Sequence, residues 1–176
     1  MSTATLHDMT SNTRLVPFPT RDRPSTVASI RTNCSACHLR DLCLPCGMEH
    51  ADMETRDAMS FTRRKIRTGE SLFTAGDLFQ YTYAVRSGTF KSSLVLADGR
   101  EQVSGSHMAG ELMGMDGLAQ GTHASSSTAL EDTEVCAIPY AHLVALSASN
   151  PAMPHIVGRL MSREVVREHS LMMLLG

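Results

Sequence analysis

Short runs of apolar and β-branched residues alternate with polar turns across the middle of the chain, between Phe61 and Ile138. The turns are marked by glycine at Thr68-Gly69, Ala75-Gly76-Asp77, Ser87-Gly88, Asp98-Gly99 and Ala109-Gly110. This pattern is typical of antiparallel strands joined by tight turns. The predicted strands cover residues 61–66, 71–74, 81–87, 89–96, 101–107 and 126–138, the last in two pieces that meet near Asp132. A series of short strands of this kind indicates a sandwich, barrel or jelly roll.

Beyond Pro139 the pattern becomes helical, first from Tyr140 to about Ser147 and then from Pro154 nearly to the end. In the second segment, steps of three and four residues define one face, made of Gly158, Met161, Val165, Glu168, Met172 and Leu175. That spacing is typical of a two-stranded coiled coil, so we predict that this face pairs two copies of the chain. The other face is predicted to pack on the strands through Val157, Leu160, Leu171 and Leu174.

Glu168 interrupts the predicted coiled-coil face. In a parallel dimer it would meet its own symmetry mate, and two like charges brought together repel each other. The sequence therefore predicts a dimer close to its threshold of stability.

Length and composition set the rest of the organisation. With 176 residues, of which 42% are hydrophobic, the chain is long enough for one domain with a core and modest extensions. Residues 1–31 are rich in polar residues and proline, which predicts a disordered arm. We expect a cysteine-rich segment with a short helix over residues 32–59, a β domain over 60–150 and a dimerisation helix over 151–176.

Charge and hydropathy exclude several classes of protein. A net charge of −2 argues against nonspecific binding of nucleic acid through overall charge. No run approaches the ~20 apolar residues of a membrane span, and no secretory signal is visible, so we expect a cytoplasmic protein with no membrane partner. Thiols stay reduced in that compartment, where clustered cysteines more often bind metal or serve redox chemistry than form disulfides.

Four of the five cysteines lie within one short stretch, and the fifth, Cys136, lies far downstream. Cys34, Cys37 and Cys43 have a C-x2-C-x5-C spacing that allows their thiolates to converge on one metal or cluster. Such a centre needs a distant fourth ligand, for which Cys136 is the candidate. Alternatively, Cys46 completes a second CxxC pair, and the two pairs alone make a zinc site. The spacing by itself leaves iron–sulfur and zinc about equally open.

Several motifs together carry a resemblance to a known family. They are the Cys34/Cys37/Cys43 spacing, the turn from Gly69 to Asp77, the segments Tyr83-Ala84-Val85-Arg86-Ser87-Gly88 and His107-Met108-Ala109-Gly110-Glu111-Leu112, Cys136 before Ile138-Pro139, and Arg159-Leu160-Met161-Ser162. From about Asn33 to Gly176 the chain resembles the FNR branch of the CRP/FNR bacterial transcription regulators, whose members sense oxygen with a [4Fe-4S] cluster.

The resemblance implies mainly β structure with helices: a β-roll of the cyclic-nucleotide-binding type (a double-stranded jelly roll) followed by a long dimerisation helix. It also implies a [4Fe-4S] cluster held by Cys34, Cys37, Cys43 and Cys136, with Cys46 as a possible alternative ligand. The implied partners are a second copy when the cluster is loaded, and promoter DNA and RNA polymerase for a full-length protein. The family's winged helix-turn-helix is absent, so we expect either part of a longer regulator or a natural sensor-only protein.

The segment from Gly110 to Ser126 occupies the place of the phosphate-binding cassette of nucleotide-binding relatives. No Arg or Lys lies between Gly110 and Ser127 to meet a cyclic phosphate, so we expect no cyclic nucleotide. The competing hypothesis is a zinc-stabilised or cyclic-nucleotide-binding β-roll without redox sensing.

Paired carboxylates, a nucleophile elbow and a phosphate loop are all missing from the sequence, so we expect no enzyme. A dithiol redox enzyme using Cys43 and Cys46 is a third, weaker hypothesis, because no βαβ context is visible.

Overall fold

The computed structural model describes residues 61–149, 151 and 153–175, together with Cys34, Cys37, His38, Leu39 and Cys43. Within the helices, the description is limited to the backbone at Leu146, Glu168, Leu171, Met172, Leu174 and Leu175. The predicted disordered arm, the predicted short helix before residue 60, and Cys46 lie outside the described residues.

The described chain folds into eight strands, a short 3-10 helix and two α-helices. The strands are β1 (Thr62–Ile66), β2 (Ser71–Phe73), β3 (Tyr81–Ser87), β4 (Phe90–Val95), β5 (Glu101–His107), β6 (Leu112–Met113), β7 (Ser126–Ala129) and β8 (Thr133–Pro139). The 3-10 helix spans Met115–Gly117, and the α-helices are α1 (Tyr140–Ser149) and α2 (Met153–Leu175). The strands form two four-stranded antiparallel sheets, in the orders β1-β8-β3-β6 and β2-β7-β4-β5.

This architecture confirms the predicted β-roll. The predicted strands match β1 to β5 to within a residue or two at their ends, and the segment 126–138 divides into β7 and β8 on either side of residues 130–132. The sequence did not predict β6 or the 3-10 helix. Elements of two and three residues are too short to show a periodic pattern of apolar positions.

The main core lies between the two sheets. Its buried members are Ile66, Leu72, Phe73, Tyr83, Val85, Phe90, Met113, Ala129, Val135 and Ala137. Alternate residues of a strand point to opposite faces, so Val135 and Ala137 of β8 face this core. The residues between and after them, Cys136 and Ile138, face the other side of the same sheet.

That second side of the sheet is covered by the helices. A second buried cluster there contains Phe61, Ala84, Cys136, Ile138, Leu143, Met153 and Ile156. Since β8 and β3 contribute to both clusters, their central residues are buried on both faces. The helices are therefore packed directly behind Cys136.

Helix α2 packs on the β-roll through its first turns. Val157 and Leu160, both predicted to face the strands, pack against the second cluster, and the sequence prediction omitted Met153 and Ile156, which are buried there. The side chains of Leu171 and Leu174 are outside the described residues. None of the helices in the described part of the chain combines the length and hydropathy needed to cross a bilayer.

Candidate metal centre

Cys136 lies at the centre of a sheet and is buried, with 7% of its surface exposed. Strand β8 runs between β1 and β3, and Cys136 is opposite Arg63 on one side and Ala84 on the other. Its side chain belongs to the apolar cluster that includes Met153 and Ile156 of α2. Any ligand bound to this sulfur is therefore next to the beginning of the long helix.

The N-terminal cysteines lie against the same cluster. Cys34 and Cys43 are partly buried and pack on it, and Cys37 is also partly buried. Local backbone hydrogen bonds shape the segment, since Cys37 N–H donates to the Cys34 carbonyl (3.2 Å) and Cys43 N–H donates to the Leu39 carbonyl (2.9 Å). The second of these bonds has the spacing of an α-helical turn. Buried Leu39 faces inward between the cysteines along the chain, whereas His38 is exposed.

Arg86 connects the N-terminal segment to β8. Its Nη1 is 3.2 Å from Cys37 Sγ and 3.9 Å from Cys136 Sγ. On the other side, Arg86 Nε lies 3.5 Å from Glu134 Oε1. The structure thus brings Cys37 and Cys136 within reach of a single nitrogen atom.

The electrostatics of Arg86 follow from these contacts. Burial acts to lower the pKa of Arg86, but the sulfur atoms of Cys136 and Cys37 more than offset this, and the pKa is raised above its ordinary value. Glu134 also lies 3.7 Å from Arg63 Nε, so one carboxylate is shared between two guanidinium groups. The surroundings of the sulfurs therefore carry excess positive charge, which suits anionic thiolates.

Four cysteine thiols are the type of donor set that an iron–sulfur cluster takes. The four described cysteines form no disulfide with one another, and all four lie at one side of the β-roll, partly shielded from solvent. Among the described residues, no group of three or more His, Cys, Asp or Glu converges tightly enough to hold a single metal ion. A [4Fe-4S] cluster does not require that convergence, because each of its four thiolates binds a different iron. Cys46, which the alternative zinc site would need, lies outside the described residues.

Arg86 was not identified as a site residue from the sequence, although the alternation of residues along β3 was visible there. In β3, Ala84 faces the same side as Cys136, and strand alternation places Arg86 on that side as well. The missing information was the register between β3 and β8, which pairs Ala84 with Cys136.

A large cavity lies between β4, β5, residues 110–116 and α2. Its volume is about 970 Å³, and Ser92, Leu94, Glu111, Leu112, Met161 and Val165 are among its lining residues. The cations on its wall include Arg163 and Arg167 of α2. Arg167 Nη1 is 2.7 Å from Glu111 Oε2, so the acidic residue of the cassette is already paired with the helix.

The predicted dimer face on α2 is exposed where it is described, although Met161 and Val165 also line the cavity. Gly158 is exposed, and Met161 and Val165 keep 43% and 49% of their surfaces exposed. Glu168, Met172 and Leu175 are in the helical segment, but their side chains are outside the described residues. The described half of this face is therefore accessible to a second chain.

The model of the cyclic nucleotide-binding domain family matches residues 63–150. The crystal structure of Thermus thermophilus catabolite activator protein is similar, with a TM-score of 0.61 and 31% identity, over 75% of this chain and 62% of that one. A cyclic nucleotide-binding domain from Methylobacillus flagellatus, with a TM-score of 0.63 and 15% identity, covers 73% of this chain and 75% of that chain and shares the fold.

Curated relatives are transcription regulators. The transcriptional activator protein anr of Pseudomonas aeruginosa is 39% identical over 146 residues, which is 83% of this chain and 60% of the relative. The fumarate and nitrate reduction regulatory protein of Escherichia coli K12 is 36% identical over 144 residues, which is 82% of this chain and 58% of the relative. The chain thus spans somewhat less than two thirds of the length of these relatives. The fold, the family match and these regulators place the chain in the CRP/FNR family of transcription regulators, in its FNR branch.

Proposed function

We propose that this chain is the sensory and dimerisation part of an oxygen-responsive transcription regulator. In this proposal Cys34, Cys37, Cys43 and Cys136 are the ligands of a [4Fe-4S] cluster. The observation that carries it is the position of Cys136, which lies in one buried cluster with Met153 and Ile156 of α2 while Cys34 and Cys43 pack against that same cluster. When bound, the cluster supplies a redox centre that oxygen can destroy.

The chain's own residues provide the link between ligand binding and the helix. Cys136 belongs to the β-roll, whereas Cys34, Cys37 and Cys43 belong to the N-terminal segment. Shared ligation ties this segment to the sheet directly over the start of α2. Loss of that tie changes the packing around Met153 and Ile156, and we propose that the exposed face of α2 then pairs less well with a second copy.

Arg86 and Glu134 provide the electrostatic setting. The guanidinium group offsets part of the negative charge that four thiolates bring to the site, and it forms an ion pair with Glu134 on its other side. Outer residues that fix metal ligands typically change metal affinity by roughly 10–100-fold when they are replaced. Promoter DNA and RNA polymerase are the partners proposed for the full-length regulator.

Metal and sulfide analysis of anaerobically purified protein tests the ligand set. We expect iron, acid-labile sulfide and visible absorption in the unaltered protein, and loss of all three in Cys136→Ser. Cys46→Ser is the matched control and should keep them. Zinc in a colourless protein, or loss of metal in Cys46→Ser with retention in Cys136→Ser, would favour the zinc site formed by two CxxC pairs.

The second candidate function is binding of a cyclic nucleotide, which the family match and the 970 Å³ cavity favour. Against it, Glu111 is paired with Arg167, and no Arg or Lys lies between Gly110 and Ser127. We expect calorimetry to detect no binding of cyclic AMP at micromolar concentration. Measurable binding that changes the monomer–dimer equilibrium would support the second candidate instead.

A further inference from the structure

The guanidinium group of Arg167 ties the second half of α2 to the β-roll. Its Nη1 donates to the Ser106 carbonyl and to Glu111 Oε2, and its Nη2 donates to Glu164 Oε1 and to His107 Nδ1, the last at 2.9 Å. Two of these partners end strand β5 and one lies in the turn that follows it. Arg167 thus joins the helix to the end of strand β5 and to the turn that follows it.

One partner of Arg167 is the buried ring of His107. This residue is buried, with 7% of its surface exposed, and its Nε2 is 2.9 Å from Ser92 Oγ on β4. Burial, reinforced by the charge of Arg167, lowers the pKa of His107 to about 4, so its ring is neutral near pH 7. Since Arg167 can only donate, Nδ1 accepts and Nε2 carries the proton that is donated to Ser92.

Glu111 is also held in place by hydrogen bonds to Met108. Its Oε2 accepts the Met108 N–H at 2.8 Å, and its own N–H donates to the Met108 carbonyl at 3.0 Å. Arg167 lies between this carboxylate and that of Glu164, and 22% of its side chain is exposed. Without the guanidinium group, two acidic residues and a neutral buried histidine would lose their shared partner.

Arg167 lies on the same stripe of α2 as the residues that pack on the β-roll. Met153, Ile156, Leu160, Glu164 and Arg167 follow one another at steps of three and four residues, so they lie along one stripe of the helix. The first three pack on or near the buried cluster behind Cys136. In the described part of the chain, Arg167 provides the last hydrogen bonds between α2 and the β-roll.

At about 100° per residue, Arg167 lies roughly 140° around the helix axis from the midpoint between Met161 and Val165. We propose that Arg167 is a positioning residue that fixes the docking and rotation of α2 on the β-roll, through Glu111, His107 and Ser106. It thereby holds Met161 and Val165 in the orientation in which 43% and 49% of their surfaces are exposed and a second copy can reach them. The docking itself is independent of the proposed function, whereas its effect on dimerisation rests on that function.

Hydrogen exchange of the apo protein tests the docking directly. In Arg167→Ala we expect the amides of residues 160–170 to exchange at least about tenfold faster, because removing a charge-assisted contact of this kind typically weakens local structure by that factor or more. Exchange in β3 and β8 should not change, which controls for overall folding. Arg163→Ala is the matched control, since Arg163 is exposed and lies one turn earlier on the same helix.

Two further variants separate a specific contact from a general loss of helix stability. Arg167→Lys keeps the charge but not the planar fork, and should exchange at an intermediate rate. Glu111→Gln should act through the same contact, so the double variant with Arg167→Ala should exchange no faster than Arg167→Ala alone. Protection unchanged in Arg167→Ala, or effects of the two substitutions that multiply independently, would overturn the proposal.

Dimerisation provides the second readout. If Arg167→Ala lowers the fraction of chains with α2 correctly docked to about one tenth, the apparent dimer dissociation constant rises roughly a hundredfold, because both chains of a dimer must be docked. A dissociation constant equal to that of Arg163→Ala, measured anaerobically, would contradict the positioning role. If the unaltered protein shows no anaerobic dimer, the proposed function fails, and the exchange experiment alone then decides whether Arg167 fixes the helix.

Discussion

Arg86 is the side chain that touches both parts of the candidate metal centre. Its Nη1 reaches Cys37 from the N-terminal segment and Cys136 from β8, and its side chain is only 11% exposed. A cation in such a shielded place interacts strongly with nearby anionic sulfur, because little water is present to screen it. Arg86 is therefore expected to affect how firmly the four cysteines hold a cluster.

Replacement of Arg86 by Ala should weaken retention of the cluster by roughly tenfold or more, as replacements of residues around metal ligands commonly do. The measurement is the rate at which visible absorption is lost after exposure to a fixed oxygen concentration. Arg86→Lys should lie in between, since it keeps a charge without the planar fork. Arg67→Ala, at an exposed site in the turn after β1, serves as the control; an effect equal to that of the Arg86 substitution would contradict a direct role for Arg86.

Among the elements, α2 is held to the end of strand β5 and the turn after it by polar contacts around His107. The groups facing its ring are Ser92 on β4, Arg167 and Glu164 on α2, and Asp116 in the 3-10 helix, whose charge acts to raise the pKa. Because the pKa of His107 is about 4, its 3.7 Å approach to Glu164 is not an ion pair near neutral pH.

His107 should make the protein less stable in mild acid. Above its ordinary pKa of about 6.5, the ring is neutral in both the folded and unfolded states, and its contribution to stability is complete. Between pH 6.5 and about 4 the unfolded chain takes up a proton that the folded chain does not, which favours unfolding. The loss approaches about 3 kcal/mol at most.

Urea unfolding at several pH values measures this effect. His107→Gln should flatten the dependence of the unfolding free energy on pH over this window, whereas His155→Gln, at an exposed site on α2, should not. A slope that is the same in the unaltered protein and in His107→Gln would show that His107 does not titrate as its burial implies.

The elements differ in how far the sequence could predict them. Strands β1 to β5 were placed within a residue or two because their alternation and glycine turns are local signals. The packed face of α2 was predicted from Val157 and Leu160, but its continuation through Glu164 and Arg167 was not. An acidic and a basic residue at those positions suggest a solvated surface, and only the proximity of Glu111, more than 50 positions earlier, gives Arg167 its role. Long-range contacts of this kind leave no periodic signal.

The candidate centre and the predicted dimer face involve different residues of α2. Cys136 packs with Met153 and Ile156, whereas Met161 and Val165 line the cavity and stay half exposed. The sequence indicated Cys136 as a distant ligand through its separation from the other cysteines. It could not show that the sulfur lies behind the helix, because that depends on the pairing of β8 with β3 and on the packing of α2.

Glu168 sets the balance between monomer and dimer in this account. Replacement by Ala removes a repulsion of about 1 kcal/mol between symmetry mates, which corresponds to roughly fivefold tighter dimerisation without a cluster. Equilibrium sedimentation in air measures the dissociation constant. His169→Ala, the exposed neighbour outside the predicted face, is the control, and a dissociation constant unchanged in Glu168→Ala would show that the predicted register is wrong.

The coupling of the cysteine site to dimerisation is tested by sedimentation of the same protein under anaerobic conditions and after exposure to air, at several concentrations. We expect iron-loaded dimers without oxygen and monomers after oxygen has removed the cluster, with Cys136→Ser monomeric under both conditions. Identical sedimentation of the unaltered protein before and after exposure, with the cluster shown to be present and then lost, would contradict the coupling of the cysteine site to α2.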